Sequence, residues 1–168
     1  MKIRNMVLAG LFAALLCICS WISLPLGSLR FTLQTFALFL ALLTIGGKWG
    51  SLTVLVYIGL GAMGLPVFSG FQGGIGVIAG PTGGCIIGFM LTTLLYWLAE
   101  LLPPGKIWVK IAVLCLGLLI CYGIGWLWYC QFAPMPLLAW CLPYLLPDAG
   151  KLALAVFLSQ RLGKAVQN

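Results

Sequence analysis

The stretch IWVKIAVLCLGLLICYGIGWLW, Ile107 to Trp128, carries a single charge, Lys110, close to its start. An α-helix rises about 1.5 Å per residue and the hydrocarbon core of a bilayer is about 30 Å thick, so about 20 apolar residues suffice to cross it. This segment reads as a membrane-spanning helix, and the chain on either side of it reads the same way.

Of the 168 residues, 63% are hydrophobic and 7% charged, none is histidine, and the mean hydropathy is +1.18. A water-soluble domain of that length needs a far more polar surface. The expectation is an all-α integral membrane protein with six transmembrane helices, a single transmembrane domain over residues 1–168. A net charge of +7 would point to nucleic acid in a soluble protein. Here the basic residues fall singly or in pairs at the ends of apolar runs, which is a topology signal and leaves no nucleic-acid patch. The seven cysteines form no C-x-x-C pair and lie in or beside apolar segments. They read as small buried hydrophobes, with no metal or redox centre and no cofactor expected.

The first span is placed from Met6 to Leu24, ending at Pro25, followed by a Gly27-Ser28 loop and Arg30. Its basic start and apolar run also fit a signal peptide. A retained span is the better reading, because the run reaches Leu26 without an obvious cleavage site. The second span runs from Phe31 to Ile45 and stops at Gly46-Gly47-Lys48; the third runs from Trp49 and fades at Gly64-Leu65-Pro66. Val67 to Thr82 is too glycine-rich for a helix and too apolar for a solvent loop, so protein must cover it or it must line a cavity. A fourth span covers Gly83 to Leu101, closed by Pro103-Pro104-Gly105, and Ile107 to Trp128 is the fifth. Tyr129 to Pro147, with four prolines, is expected to be broken and to lie at the interface before a sixth span from Asp148 to Leu162. Lys2, Arg4, Lys48, Lys106, Lys110, Arg161 and Lys164 then fall on one side and only Arg30 on the other, which predicts cytoplasmic N and C termini. The glycine-rich stretch and the Asp148 end of the last span would face outward.

Asp148 and Lys151 are three residues apart at the start of that last span, and Glu100 is the only other acid. Ionisable groups at bilayer depth cost a few kcal/mol each and are by default functional candidates. Two readings stay open. Asp148 is a helix N-cap after Pro147 while Lys151 pairs with it or snorkels outward, or the pair lines an outward-facing ligand pocket, with Lys151 meeting an anionic group and Asp148 accepting hydrogen bonds. Catalysis has little to work with, since acid–base or metal-assisted chemistry usually needs two or more such groups in one site. Gly105-Lys106-Ile107 fails the phosphate-loop spacing. In the first span Ala9 and Ala13, with Gly10 and Ala14 beside them, permit close approach of another helix, from inside or outside the molecule.

The blocks Gly64-Leu-Pro-Val-Phe68 and Gly80-Pro-Thr-Gly-Gly84, at this mutual spacing, resemble the signature region of the BioY family, the biotin-binding membrane subunits (S components) of energy-coupling-factor (ECF) transporters. The likeness extends to Ala9-x-x-x-Ala13 and to Asp148-x-x-Lys151. It implies a high-affinity, multi-pass cell-membrane subunit for biotin uptake. Such a subunit binds biotin as transported ligand and docks on a transmembrane coupling protein and two cytoplasmic ATPase subunits, with no enzymatic activity of its own. The resemblance makes Asp148 and Lys151 the polar ligand contacts, counts Gly84 of the signature among the ligand-binding residues, and assigns Ala9 and Ala13 to docking. Two positions depart from the family's pattern: Cys85 stands where tyrosine is common after GPTGG, and Pro147 precedes Asp148 where glycine is usual.

Biotin joins an apolar bicycle, a ureido group and a carboxylate, which suits an apolar cavity with a few polar anchors. Asp148 is matched to the ureido N–H groups and Lys151 to the carboxylate, or a single bound pose assigns these roles differently, with the outer loop as a lid. Gly73 and its neighbouring glycines allow backbone near the ligand, and Gln72 and Thr82 offer hydrogen bonds. The same glycines also serve loop geometry alone. The Trp and Tyr residues between Tyr122 and Tyr144 are read as interfacial belt rather than ring-stacking partners. The rival functions are a self-sufficient secondary carrier for biotin or another small acidic vitamin, which inverted repeats would favour, and a passive structural subunit.

Overall fold

The computed structural model describes residues 2–26, 29–102 and 106–167. The Gly27-Ser28 loop and the Pro103-Pro104-Gly105 connection lie outside them. In chain order the elements are α1 (Lys2–Trp21), β1 (Ser23–Leu26), β2 (Leu29–Thr32), α2 (Gln34–Ala62), α3 (Ile75–Ala79), α4 (Gly83–Glu100), α5 (Ile107–Tyr129) and α6 (Leu137–Gln167). Among the described residues, five helices are long and apolar enough to cross a membrane.

The second of these is not straight. Gly46 adopts φ 80°, ψ 173° inside α2, a backbone conformation that glycine takes at little cost and other residues rarely take. The chain doubles back there. Gln34 Nε2 donates to Tyr57 Oη at 2.5 Å, although 23 residues of straight helix would separate them by about 34 Å. A Cβ on Gly50 would meet the Leu42 side chain at 2.5 Å. The turn is closed from α4, where Glu100 Oε2 accepts from the Gly47 N–H at 2.7 Å, satisfying one of the free donors at the start of the second limb.

Three stretches depart from the sequence reading. The first helix ends at Trp21, and the chain then forms the antiparallel ribbon β1–β2, with Ser23 opposite Thr32 and Leu26 opposite Leu29. Pro25 cannot donate to a helix, but is tolerated in a two-stranded ribbon. Within the glycine-rich stretch, Ile75–Ala79 makes a short helix; Val77 and Ile78 give it an apolar side that packs on the core. The largest change is α6, which begins at Leu137 and contains both Pro143 and Pro147. Asp148 is therefore inside a helix, not at its cap. Helices tolerate proline in membranes because neighbouring elements re-satisfy the freed carbonyls.

The core is built on α2, which packs against α1, α4 and α6, with α5 laid along α4. Small residues set the close approaches. A Cβ on Gly88 would lie 2.8 Å from Cys121 Cα, and one on Gly117 2.6 Å from the Thr92 methyl. Thr92 Oγ1 bonds both Gly88 O and Gly117 O, at 2.8 and 2.9 Å, tying α4 to α5. Cys17, Cys19 and Cys121 are buried as expected, and Cys115 is exposed.

Candidate functional site

A cavity of about 640 Å³ lies between the first limb of α2, the segment from Phe68 to Thr82, α4, α5 and α6. Its polar end is built by α6. Successive positions Trp140, Tyr144, Asp148 and Lys151 are spaced by four, four and three residues, so a helix presents them on one face, and all four line the cavity.

Asp148 and Lys151 are 1% and 7% exposed. Lys151 Nζ lies 2.6 Å from Asp148 Oδ1. It also donates to Thr32 O at 2.5 Å and to Thr35 Oγ1 at 3.1 Å, and sits 3.9 Å from the Phe31 ring centre. Asp148 accepts from Thr35 Oγ1 at 2.8 Å and from Tyr122 Oη at 2.5 Å. An ammonium has three donors and a carboxylate about four acceptor positions. Among the described contacts, Lys151 therefore spends all three N–H groups, while Asp148 has three of its four acceptor positions filled. The outward-snorkelling reading of Lys151 is overturned: its charge is turned inward and neutralised on the spot.

The rest of the wall is mostly aromatic and apolar, with Gln34, Ser69, Gln72 and Thr82 among its polar members. Tyr122 and Tyr129, seven apart on α5, join Trp140 and Tyr144, with Phe68, Ile86 and Phe89 across from them. Tyr129 and Trp140 rings are 4.7 Å apart. The belt assignment of the Tyr122–Tyr144 aromatics is corrected for these four, which are drawn inward because α5 and α6 turn them toward the cavity. Two of the remaining indoles hold backbone: Trp126 Nε1 donates to Met135 O at 2.7 Å, and Trp128 Nε1 to Gly80 O at 2.9 Å.

Of the other residues singled out from sequence, Gln72, Gly73 and Thr82 line the cavity, as does Cys85. A Cβ on Gly73 would stand 2.2 Å from Leu65 O, so that position must be glycine for the segment to fold as it does. Gly84 is not in the lining. A Cβ there would lie 2.4 Å from Trp128 Cβ, so its place in the signature reflects the close approach of α4 to α5. Ala9 and Ala13 are 3% and 2% exposed, turned toward α2, where Thr53 Oγ1 donates to Ala9 O at 3.3 Å. Gly10 and Ala14 are the small residues on the outer side of α1. Thr32, Gln34, Thr35, Tyr122, Tyr129, Trp140 and Tyr144 were not singled out from sequence as cavity residues. The spacing of Trp140 and Tyr144 before Asp148 was a usable signal, masked by the prolines between them.

Comparison with known proteins gives a consistent set of likenesses. A model of the BioY family matches residues 1–168. The Pyrococcus horikoshii protein named probable biotin transporter BioY is 42% identical over 164 residues, covering 96% of this chain and 98% of that one. The biotin transporter BioY of Thermotoga maritima is 38% identical over 163 residues, 96% of each. The fold is similar to the crystal structure of an S-component for biotin from an ECF-type ABC transporter, with a TM-score of 0.83 at 24% identity over 97% of this chain and 92% of that one.

Proposed function

The chain belongs to the BioY family, and we propose that it is the biotin-capturing membrane subunit of an ATP-driven ECF transporter. The observation that carries this reading is the Asp148–Lys151 pair, buried yet lining a cavity with an aromatic and apolar wall interspersed with polar groups. A bilayer-depth ion pair is costly, and an adjoining void gives it a role beyond packing.

The geometry favours one pose. Biotin's ureido and carboxylate ends are separated by a ring and a chain of four methylenes, whereas Asp148 and Lys151 touch at 2.6 Å. One extended ligand thus meets the pair with one end. The ureido group suits it: its N–H groups match the remaining acceptor position on Asp148, and its carbonyl can take the Lys151 donor now spent on the long 3.1 Å bond to Thr35. A carboxylate in that place would face Asp148 at close range. The carboxylate end then points to the mouth, where Gln72 and the glycine-rich backbone supply N–H donors.

The topology follows from the same reading. The two limbs of α2 act as separate crossings, giving six. The basic-rich end, with Lys48 and Lys106, faces the cytoplasm, the cavity opens outward, and both termini are cytoplasmic. ATP hydrolysis belongs to two partner ATPases, reached through a coupling protein that meets the outer side of α1 at Gly10 and Ala14.

Titration of the purified chain with labelled biotin tests the assignment; affinity no tighter than millimolar would count against it. Uptake by the chain alone in vesicles, abolished by collapsing an ion gradient, would replace the ATP-driven mechanism with that of a secondary carrier.

A further inference from the structure

The segment over the cavity is moored at both roots: Gly74 N–H to Gly61 O at 2.7 Å, and Gly80 O to Trp128 Nε1 at 2.9 Å. The loop that the first of these bonds closes, from Gly61 to Gly74, contains a tight turn, closed by Phe68 N–H to Gln72 O at 2.9 Å, whose Phe68 and Gln72 line the cavity. The outside of this turn is fastened separately, to the end of α1. Trp21 Nε1 donates to Pro66 O at 2.7 Å. Ser20 Oγ, fully buried, contacts Val67 O at 2.5 Å and Cys17 O at 2.7 Å. The Trp21 ring stacks on Phe71, centroids 5.2 Å apart and planes 23° apart. Phe71 has φ 58°, a conformation rare for a residue with a side chain, and one that persists only where the surroundings hold it. None of Ser20, Trp21 or Phe71 lines the cavity.

We propose that Ser20 and Trp21 are positioning residues that clamp the Pro66–Gln72 turn as a lid, so that contacts no ligand touches set how fast the cavity opens. The turn carries cavity-lining side chains on its inner side and is held from its outer side by one helix end. Releasing that end frees Phe71 from its strained conformation and lets Gln72 swing away, while Phe68 stays packed on Tyr57 and the roots at Gly61 and Gly80 stay tied. The inference takes its ligand, biotin, from the function proposed above; the clamp itself rests on geometry alone.

The test uses the purified full chain with Trp21→Ala, Trp21→Phe and Phe71→Ala. Trp21→Ala removes one hydrogen bond and one ring stack, an effect on the order of tenfold. Release and association of labelled biotin should both accelerate by about that factor, with equilibrium affinity changing less than either rate. Trp21→Phe, which keeps the stack, should be intermediate. Without biotin, hydrogen exchange at Val67 to Gln72 should quicken in Trp21→Ala while the Gly61 and Gly74 amides hold, and ligand-free melting should stay near wild type. Unchanged rates together with unchanged exchange would overturn the clamp, as would loss of ligand-free stability matching the loss of affinity with no acceleration. If the unaltered chain fails to bind biotin, the exchange experiment still decides: faster exchange at the turn upholds the clamp and unaltered exchange refutes it.

Discussion

Replacing Asp148 by Asn and Lys151 by Met, singly and together, separates a ligand site from a packing device. Each single change leaves one charge where exposure is 7% or less, and removing one partner of a buried pair costs about 3–5 kcal/mol. For a chain of this size each kcal/mol moves the melting temperature by roughly 2–4 °C, so each single variant should melt roughly 6–20 °C lower. The double variant leaves no bare charge. Thr35 and Tyr122, which now bond Asp148 at 2.8 and 2.5 Å, can still reach an amide, so its melting should recover most of the loss. With each single loss at about 3–5 kcal/mol and the double variant well below either, the coupling between the two sites should exceed about 3 kcal/mol, above the usual range for residues in contact. Biotin binding, followed by isotope dilution on the same detergent-solubilised samples, should be lost in all three. Single variants melting within about 2 °C of wild type would refute the buried network. A double variant that binds biotin normally would reduce the pair to a structural role.

Further outcomes follow from the same geometry. With the ureido end at the pair, Lys151→Met should weaken biotin and its neutral amide alike; selective loss for the acid, measured by competition, would return the carboxylate to Lys151. Gly84→Ala forces a Cβ to 2.4 Å from Trp128 and should cost about 1–3 kcal/mol of stability, read by thermal melting, with near-normal affinity in the folded fraction. Gly73→Ala meets the Leu65 carbonyl instead, distorts the lid, and should lower affinity in titration more than it lowers melting temperature. Leucine at Gly10 and Ala14 should abolish co-purification with the coupling and ATPase subunits while sparing biotin binding, whereas leucine at the buried Ala9 and Ala13 should unfold the chain and lose both.

Membrane solvent, the positions of the fourth and fifth helices and the pairing of Asp148 with Lys151 were legible in the chain itself. Lipid imposes apolar runs of fixed length and makes every ionisable residue inside them conspicuous. The turn at Gly46 was also marked, by Gly46-Gly47-Lys48, but that the two flanking limbs pack on each other appears only in the Gln34–Tyr57 and Leu42–Gly50 contacts. Other features depend on which neighbour a face meets. Prolines at 143 and 147 are local helix breakers, yet α6 runs through both because neighbouring elements in a membrane can satisfy what proline frees; reading a break there hid Trp140 and Tyr144 from the Asp148 face. Ala9, Gly10, Ala13 and Ala14 are indistinguishable as small residues in a row, and only packing against α2 decides that Ala9 and Ala13 turn in and Gly10 and Ala14 turn out. Local sequence sets which segments are helical and apolar. Tertiary contact alone decides which side of each helix is buried, and therefore that two opposite charges meet beside a cavity.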